Sequence, residues 1–139
     1  MAIRAQTAKI TLSYPDHLLD PSYLLTFIEL HGFTDDWKQL GLTDEDLLIV
    51  QGFMNANPKG SPVIKGTGGL RKLKFSPLSK SGHKKSFRLG YAYFPEAGVV
   101  LLVVAYAKSE CDDIPDALKK PIREYLQRQK AVFSKGVVR

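Results

Sequence analysis

Two kinds of hydrophobic spacing divide the chain. "LLTFI" (24–28) reads as a short strand, and "FTDDWKQLG" (33–41) as a helix that Gly41 closes as its C′ residue. "TDEDLLIVQGFMNANP" (43–58) opens with Thr43 as N-cap and Asp46 three residues on, the pattern of a capping box. Leu47, Val50 and Met54, with the pair Leu48 and Phe53, predict a broad apolar face on this helix, and Pro58 ends it. The two helices are expected to form an αα-hairpin that packs on the core.

After Pro58 the period shortens to two. In "LRKLKF" (70–75), Arg71, Leu73 and Phe75 share one face while Leu70, Lys72 and Lys74 share the other. "SFRLGYAYF" (86–94) puts Phe87, Leu89, Tyr91 and Tyr93 on one side and Arg88 and Gly90 on the other. "SPLSKSGHKK" between them has the Pro, Ser and Gly of a hairpin connection. "VVLLVVAYAK" (99–108) is continuously apolar, as expected of a central strand buried on both faces. From Asp112 to about Lys135 the spacing returns to helical. Asp112 or Asp113 is placed to cap this helix, Pro115 suits its first turn, and Leu118, Ile122, Tyr125 and Leu126 line one side. Pro121 is costly in a helix interior, so a restart there is one expectation. The order is strand, two helices, three strands, helix. It predicts a small α+β domain with its helices against one face of an antiparallel sheet of three to four or more strands.

Composition narrows the setting. The chain has 139 residues, 44% of them apolar, enough for one domain with a real core. A single cysteine, Cys111, cannot form an internal disulfide, no apolar run reaches membrane-spanning length, and the first twenty residues hold no apolar core of signal-peptide length. The expectation is a cytoplasmic protein. Charge is strongly segregated. Residues 1–58 carry 3 basic and 8 acidic side chains, 59–108 carry 10 basic and one acidic (Glu96), and 109–139 carry 7 and 5. Such segregation creates a local positive field, whose usual partner is phosphate.

Several kinds of chemistry can be set aside. "GTGG" (66–69) lacks the spacing of a phosphate-binding loop and precedes a strand, so it offers no helix N-terminus. His17, His31, His83 and Cys111 lie far apart with no ligand pairing, so neither metal nor cofactor is expected. What remains is a basic sheet face with tyrosines. Lys72 and Lys74 lie about 7 Å apart on one strand face, and pairing can bring Arg88 beside them. Tyr106 and Lys108 share parity at the end of the apolar strand. Crowded lysines favour their neutral form, arginine stabilises a phosphorane-like transition state, and tyrosine stacks on a base or donates its hydroxyl. These groups suffice to cleave RNA that supplies its own 2′-hydroxyl nucleophile.

"GTGGLRKLKF", then "FRLGYAYF", then "LLVVAYAKSECDD" and a closing helix, together with "GFTDDWKQLGLTDEDLLIVQGFMNANP" upstream, resembles the RelE/HigB family of toxin–antitoxin ribonucleases. The resemblance divides the chain into an N-terminal extension, 1–25, and a RelE/HigB-like toxin domain, 26–139. It implies an mRNA interferase that enters the ribosomal A site and cuts the message by 2′-hydroxyl attack. The implied partners are mRNA, the ribosome and a cognate antitoxin, usually a small helix-turn-helix DNA-binding protein.

The resemblance implies catalytic positions at Arg71, Lys72, Lys74, Arg88, Tyr106 and Lys108. Lys72 or Lys74 would be the base, Arg88 the phosphate clamp, and Tyr106 or Tyr91 a stacking platform. Lys80, Lys84, Lys85 and Tyr91 are the expected RNA contacts, and the basic groove itself is expected to be poor in acids. The loop at 76–85 lacks the glycine pair common in the family. Two alternatives stay open at this point. One is a ParE-like noncatalytic inhibitor of DNA gyrase, the other a noncatalytic nucleic-acid-binding module.

Overall fold

The structure is a computed structural model that describes residues 24–77 and 85–134. Strand β1 (Thr26–Glu29) leads into helices α1 (His31–Gln39) and α2 (Asp44–Ala56). Strands β2 (Arg71–Phe75), β3 (Phe87–Phe94) and β4 (Val99–Ala107) follow, and helix α3 (Asp116–Ser134) closes the domain. The α+β class and the element order agree with the hydrophobic pattern. The N-terminal extension, apart from its last two residues, lies outside the described residues.

The helix boundaries follow local chemistry. Gly41, at φ 74°, ends α1. Its N–H donates to Lys38 O, and the Leu42 N–H donates to Trp37 O, which satisfies two terminal carbonyls. The capping box of α2 is present: Asp46 N–H donates to Thr43 Oγ1 at 3.1 Å and Thr43 N–H to Asp46 Oδ2 at 2.9 Å. α3 starts at Asp116, later than expected, so neither Asp112 nor Asp113 caps it; it then runs unbroken through Pro121. Pro121 lies near the helix start, and burial of Leu126 and Phe133 further along holds the remaining turns in place.

Two features of the sheet differ from expectation. Its order is β1-β4-β3-β2, and β1 runs parallel to β4, so it is mixed and not antiparallel throughout. β2, β3 and β4 form the expected antiparallel meander. β1 is joined to β4 only through the long intervening segment, the kind of connection a parallel pair requires.

The helices also do not share one face. Phe33 and Trp37 of α1 and Val50 and Met54 of α2 pack with Phe87, Leu89, Tyr91, Val100 and Leu102. Leu126 and Phe133 of α3 pack on the opposite face with Leu70, Ala92, Val99 and Leu101. β3 and β4 are apolar at both parities, so each face needs its own cover. α2 is correspondingly narrower in contact than predicted, with Leu48 and Phe53 each 59% exposed. No helix among the described residues is long and apolar enough to cross a membrane.

β4 contains one irregularity. Gly90 pairs with Val104 but Tyr91 pairs with Leu102, so Val103 has no partner on β3. An extra residue in one strand reverses the side-chain parity beyond it. Accordingly, Val103 and Val104 both pack on the α3 side, and Tyr106 follows them there.

The "GTGG" turn feeds β2 as expected, with Gly66, Gly68 and Gly69 all at positive φ. A Cβ on Gly68 would lie 3.0 Å from Arg123 Cγ, so the turn packs tightly on α3.

Thr43→Ala removes the cap of α2 and should lower stability by about 1 kcal/mol, read as a lower urea midpoint at unchanged slope.

Candidate active site

The α3 face of the sheet is covered by α3 at one end. At the other end three strands place chemistry side by side. Lys74 pairs with Arg88, and Arg88 pairs with Tyr106, giving one row across β2, β3 and β4. Neighbours in such a row have Cα atoms about 4.5–5.5 Å apart. Lys72 lies one step along the same face, opposite Gly90.

Arg88 is only 4% exposed. Its Nη1 donates to Ser86 Oγ at 2.8 Å and to Phe87 O at 3.2 Å, and its Nη2 to Asp112 Oδ1 at 3.3 Å. Its Nε has no partner. The Tyr106 hydroxyl is likewise buried and unpartnered. Among the described residues, no other buried side-chain nitrogen or oxygen lacks a hydrogen bond. Buried polar groups are normally paired, so two orphans on directly opposed residues set this row apart from the rest of the described residues.

Electrostatics assign Tyr106 a protonation state. Burial first, then the negative charge of Asp113, pushes its phenol up to about 12, with Arg88 opposing the shift. The hydroxyl is therefore a proton donor at neutral pH. Lys72 Nζ donates to Asp113 Oδ1 at 2.6 Å, and this hydrogen bond and charge hold Asp113 below the usual carboxylate range. The lysine crowding expected from sequence is thus relieved by an acid. Lys74, Lys85 and Lys108 are exposed around the rim. On the far side of Tyr106, a cleft of about 500 Å³ opens between α1, the β4–α3 connection and α3, lined by Ile114, Leu118 and Ile122.

Two proposed residues are elsewhere. Tyr91 is 1% exposed on the opposite face, where its hydroxyl donates to Pro58 O at 2.9 Å; it is a core residue and cannot stack on RNA. Arg71 also has the opposite parity, and its Nη1 donates to Lys59 O and Ser61 O, which fastens the segment entering β2. Lys80 and Lys84, with His83, lie outside the described residues.

Three participants were missed. Ser86 orients Arg88, and Asp112 and Asp113 engage Arg88 and Lys72. The groove is therefore not acid-poor. The signal was "SECDD" directly after the strand, since carboxylates at a strand exit reach the cations at the end of the same sheet. No family model matches the chain.

Because folding favours the neutral Tyr106 phenol, the stability it contributes is complete below its ordinary value of 10.0 and declines as pH rises toward about 12. Tyr106→Phe should lack this part of the alkaline decline. It should also match or exceed the parent in urea at neutral pH, because it removes an unsatisfied hydroxyl. A clear loss of stability at neutral pH would show that the hydroxyl has a structural partner.

Proposed function

We propose that this chain is a metal-independent endoribonuclease of the RelE/HigB type that cuts translated mRNA. The observation that carries this reading is the pair of orphan atoms, Arg88 Nε and Tyr106 Oη, on opposed residues and flanked by Lys72 and Lys74. A guanidinium edge and a neutral phenol are complementary to the phosphate oxygens and the leaving oxygen of a phosphodiester.

In the proposed reaction the 2′-hydroxyl gives its proton to Lys74, which makes no ion pair among the described residues. Lys72, held by Asp113, is less suited to that role. The 2′-oxygen forms a bond to phosphorus while Arg88 stabilises the charge gathering on the non-bridging oxygens. The bond from phosphorus to the 5′-oxygen breaks, and that oxygen takes the Tyr106 proton. The products are a 2′,3′-cyclic phosphate and a 5′-hydroxyl. Tyr106 is thus assigned as general acid and not as a stacking platform. Lys85 and Lys108 at the rim supply phosphate contacts that position the strand. Action in the ribosomal A site and neutralisation by an antitoxin rest on the resemblance of "GTGGLRKLKF", "FRLGYAYF" and "LLVVAYAK" to that family.

Primer extension on a message translated in vitro tests the reading. New 5′ ends should appear with the protein and only on translating ribosomes; intact message together with inhibited DNA supercoiling would replace the ribonuclease by a gyrase inhibitor. Arg88→Gln should slow cleavage by about 100-fold or more. Tyr106→Phe should slow it by about 100-fold while leaving RNA affinity in place. RNA affinity should fall with salt at a log–log slope near about −3, as expected for four phosphate contacts on a single strand.

A further inference from the structure

In the free chain the cations of this site already hold anions. Asp112 accepts from Arg88 at 3.3 Å and Asp113 from Lys72 at 2.6 Å. The acids lie outside their partners: the Asp112 and Asp113 side chains are 64% and 67% exposed, against 4% for Arg88 and 15% for Lys72. A buried guanidinium that an exposed carboxylate can reach is open to solvent along the path which that carboxylate fills.

We infer that Asp112 and Asp113 form an intrachain anion latch, standing where RNA phosphates bind and displaced by them on binding. The inference rests on the phosphodiester reading of the site and adds its regulation. Three observations favour a latch over a fixed scaffold. First, the Arg88–Asp112 contact uses one nitrogen, while Nε, on the same guanidinium edge as Nη2, is left empty. A phosphate bonds both nitrogens of that edge, which one carboxylate oxygen at 3.3 Å does not do. Second, ion pairs with one highly exposed partner are weak and exchange readily. Third, the acids lie between two anchors. Upstream, Glu110 and Cys111 N–H groups donate to Ala107 O; downstream, Ile114 is buried in the α3-side core. The connection can therefore rearrange at Asp112 and Asp113 without unseating β4 or α3. The latch also explains how a protein with a buried, incompletely bonded arginine avoids leaving its charge uncompensated in the absence of RNA.

The test uses the full chain with two probes, a short 2′-O-methyl RNA that cannot be cleaved and inorganic pyrophosphate. Asp112→Asn/Asp113→Asn should bind both about tenfold more tightly, the product of two pairs, each with an exposed carboxylate, worth about threefold each. Glu110→Gln removes a charge from the same connection without touching these cations, and should change affinity less than about twofold. In the parent protein, saturating probe should speed amide exchange at residues 109–114. Equal affinities for the double variant and Glu110→Gln, or weaker binding by the double variant, would overturn the latch, as would unchanged exchange in saturated parent protein. If pyrophosphate gives the expected differences and RNA does not bind, the latch stands and the ribonuclease reading falls. If the 2′-O-methyl RNA binds with no such differences while translated message is still cut, the latch alone falls.

Discussion

The site depends on one unpaired residue in β4. Val103 faces no residue of β3, so the strand carries one more residue than its partner over this stretch. Without it, Tyr106 would share the parity of Val100 and Leu102 and point into the core beneath α1 and α2. With it, Tyr106 stands directly beside Arg88 on the α3 face. A bulge in a central strand is tolerated here because β4 meets an apolar cluster on each face, so Val103 packs on apolar neighbours in either orientation. Past the end of β1, α1 reaches the same strand: Asp36 accepts from Ala105 N–H at 3.2 Å, and burial is the main reason its carboxyl lies above the usual range. β4 is thus held from both sides where its parity has changed.

The two faces of the sheet have divided their roles. The face under α1 and α2 is packed by large rings; Phe33, Trp37, Phe75 and Phe87 form a run of stacked aromatics with centroids 5.5, 5.6 and 5.8 Å apart. That side supplies rigidity. On the opposite face, α3 covers the end near Leu70 and Leu101, and Arg123 of α3 donates to Gly66 O in the turn before β2. The remainder of that face keeps Arg88 and the Tyr106 hydroxyl buried with hydrogen-bonding capacity unmet. Unmet capacity in an otherwise satisfied structure is a cost to stability, and such costs concentrate at functional sites.

Much of this was legible along the chain. Thr43 with Asp46, Gly41 at a helix end and the alternation of Lys72 with Lys74 are local signals, each set by the residue and its near neighbours. The meander was legible because two alternating runs and one fully apolar run follow each other through turn-forming segments. Tyr91 and Arg71 show the limit of such signals. Both are polar-tipped residues on strand faces shared with Leu and Phe, and only the fold reveals that the Tyr91 hydroxyl meets Pro58 O and Arg71 the carbonyls of Lys59 and Ser61.

The sequence by itself determined the order of elements, the end of α1 at Gly41, the capping box of α2 and the presence of a basic strand face, because these depend on short-range periodicity and turn chemistry. Tertiary structure alone decided three matters. It set β1 parallel to β4, a pairing between segments about seventy residues apart in order, to which neither segment's spacing points. It reversed the parity of β4, which an unbroken apolar run conceals because every residue in it suits either face. And it folded Asp112 and Asp113 back onto Lys72 and Arg88, a meeting that follows from where β4 ends beside β3 and not from the acids' own neighbours in the chain.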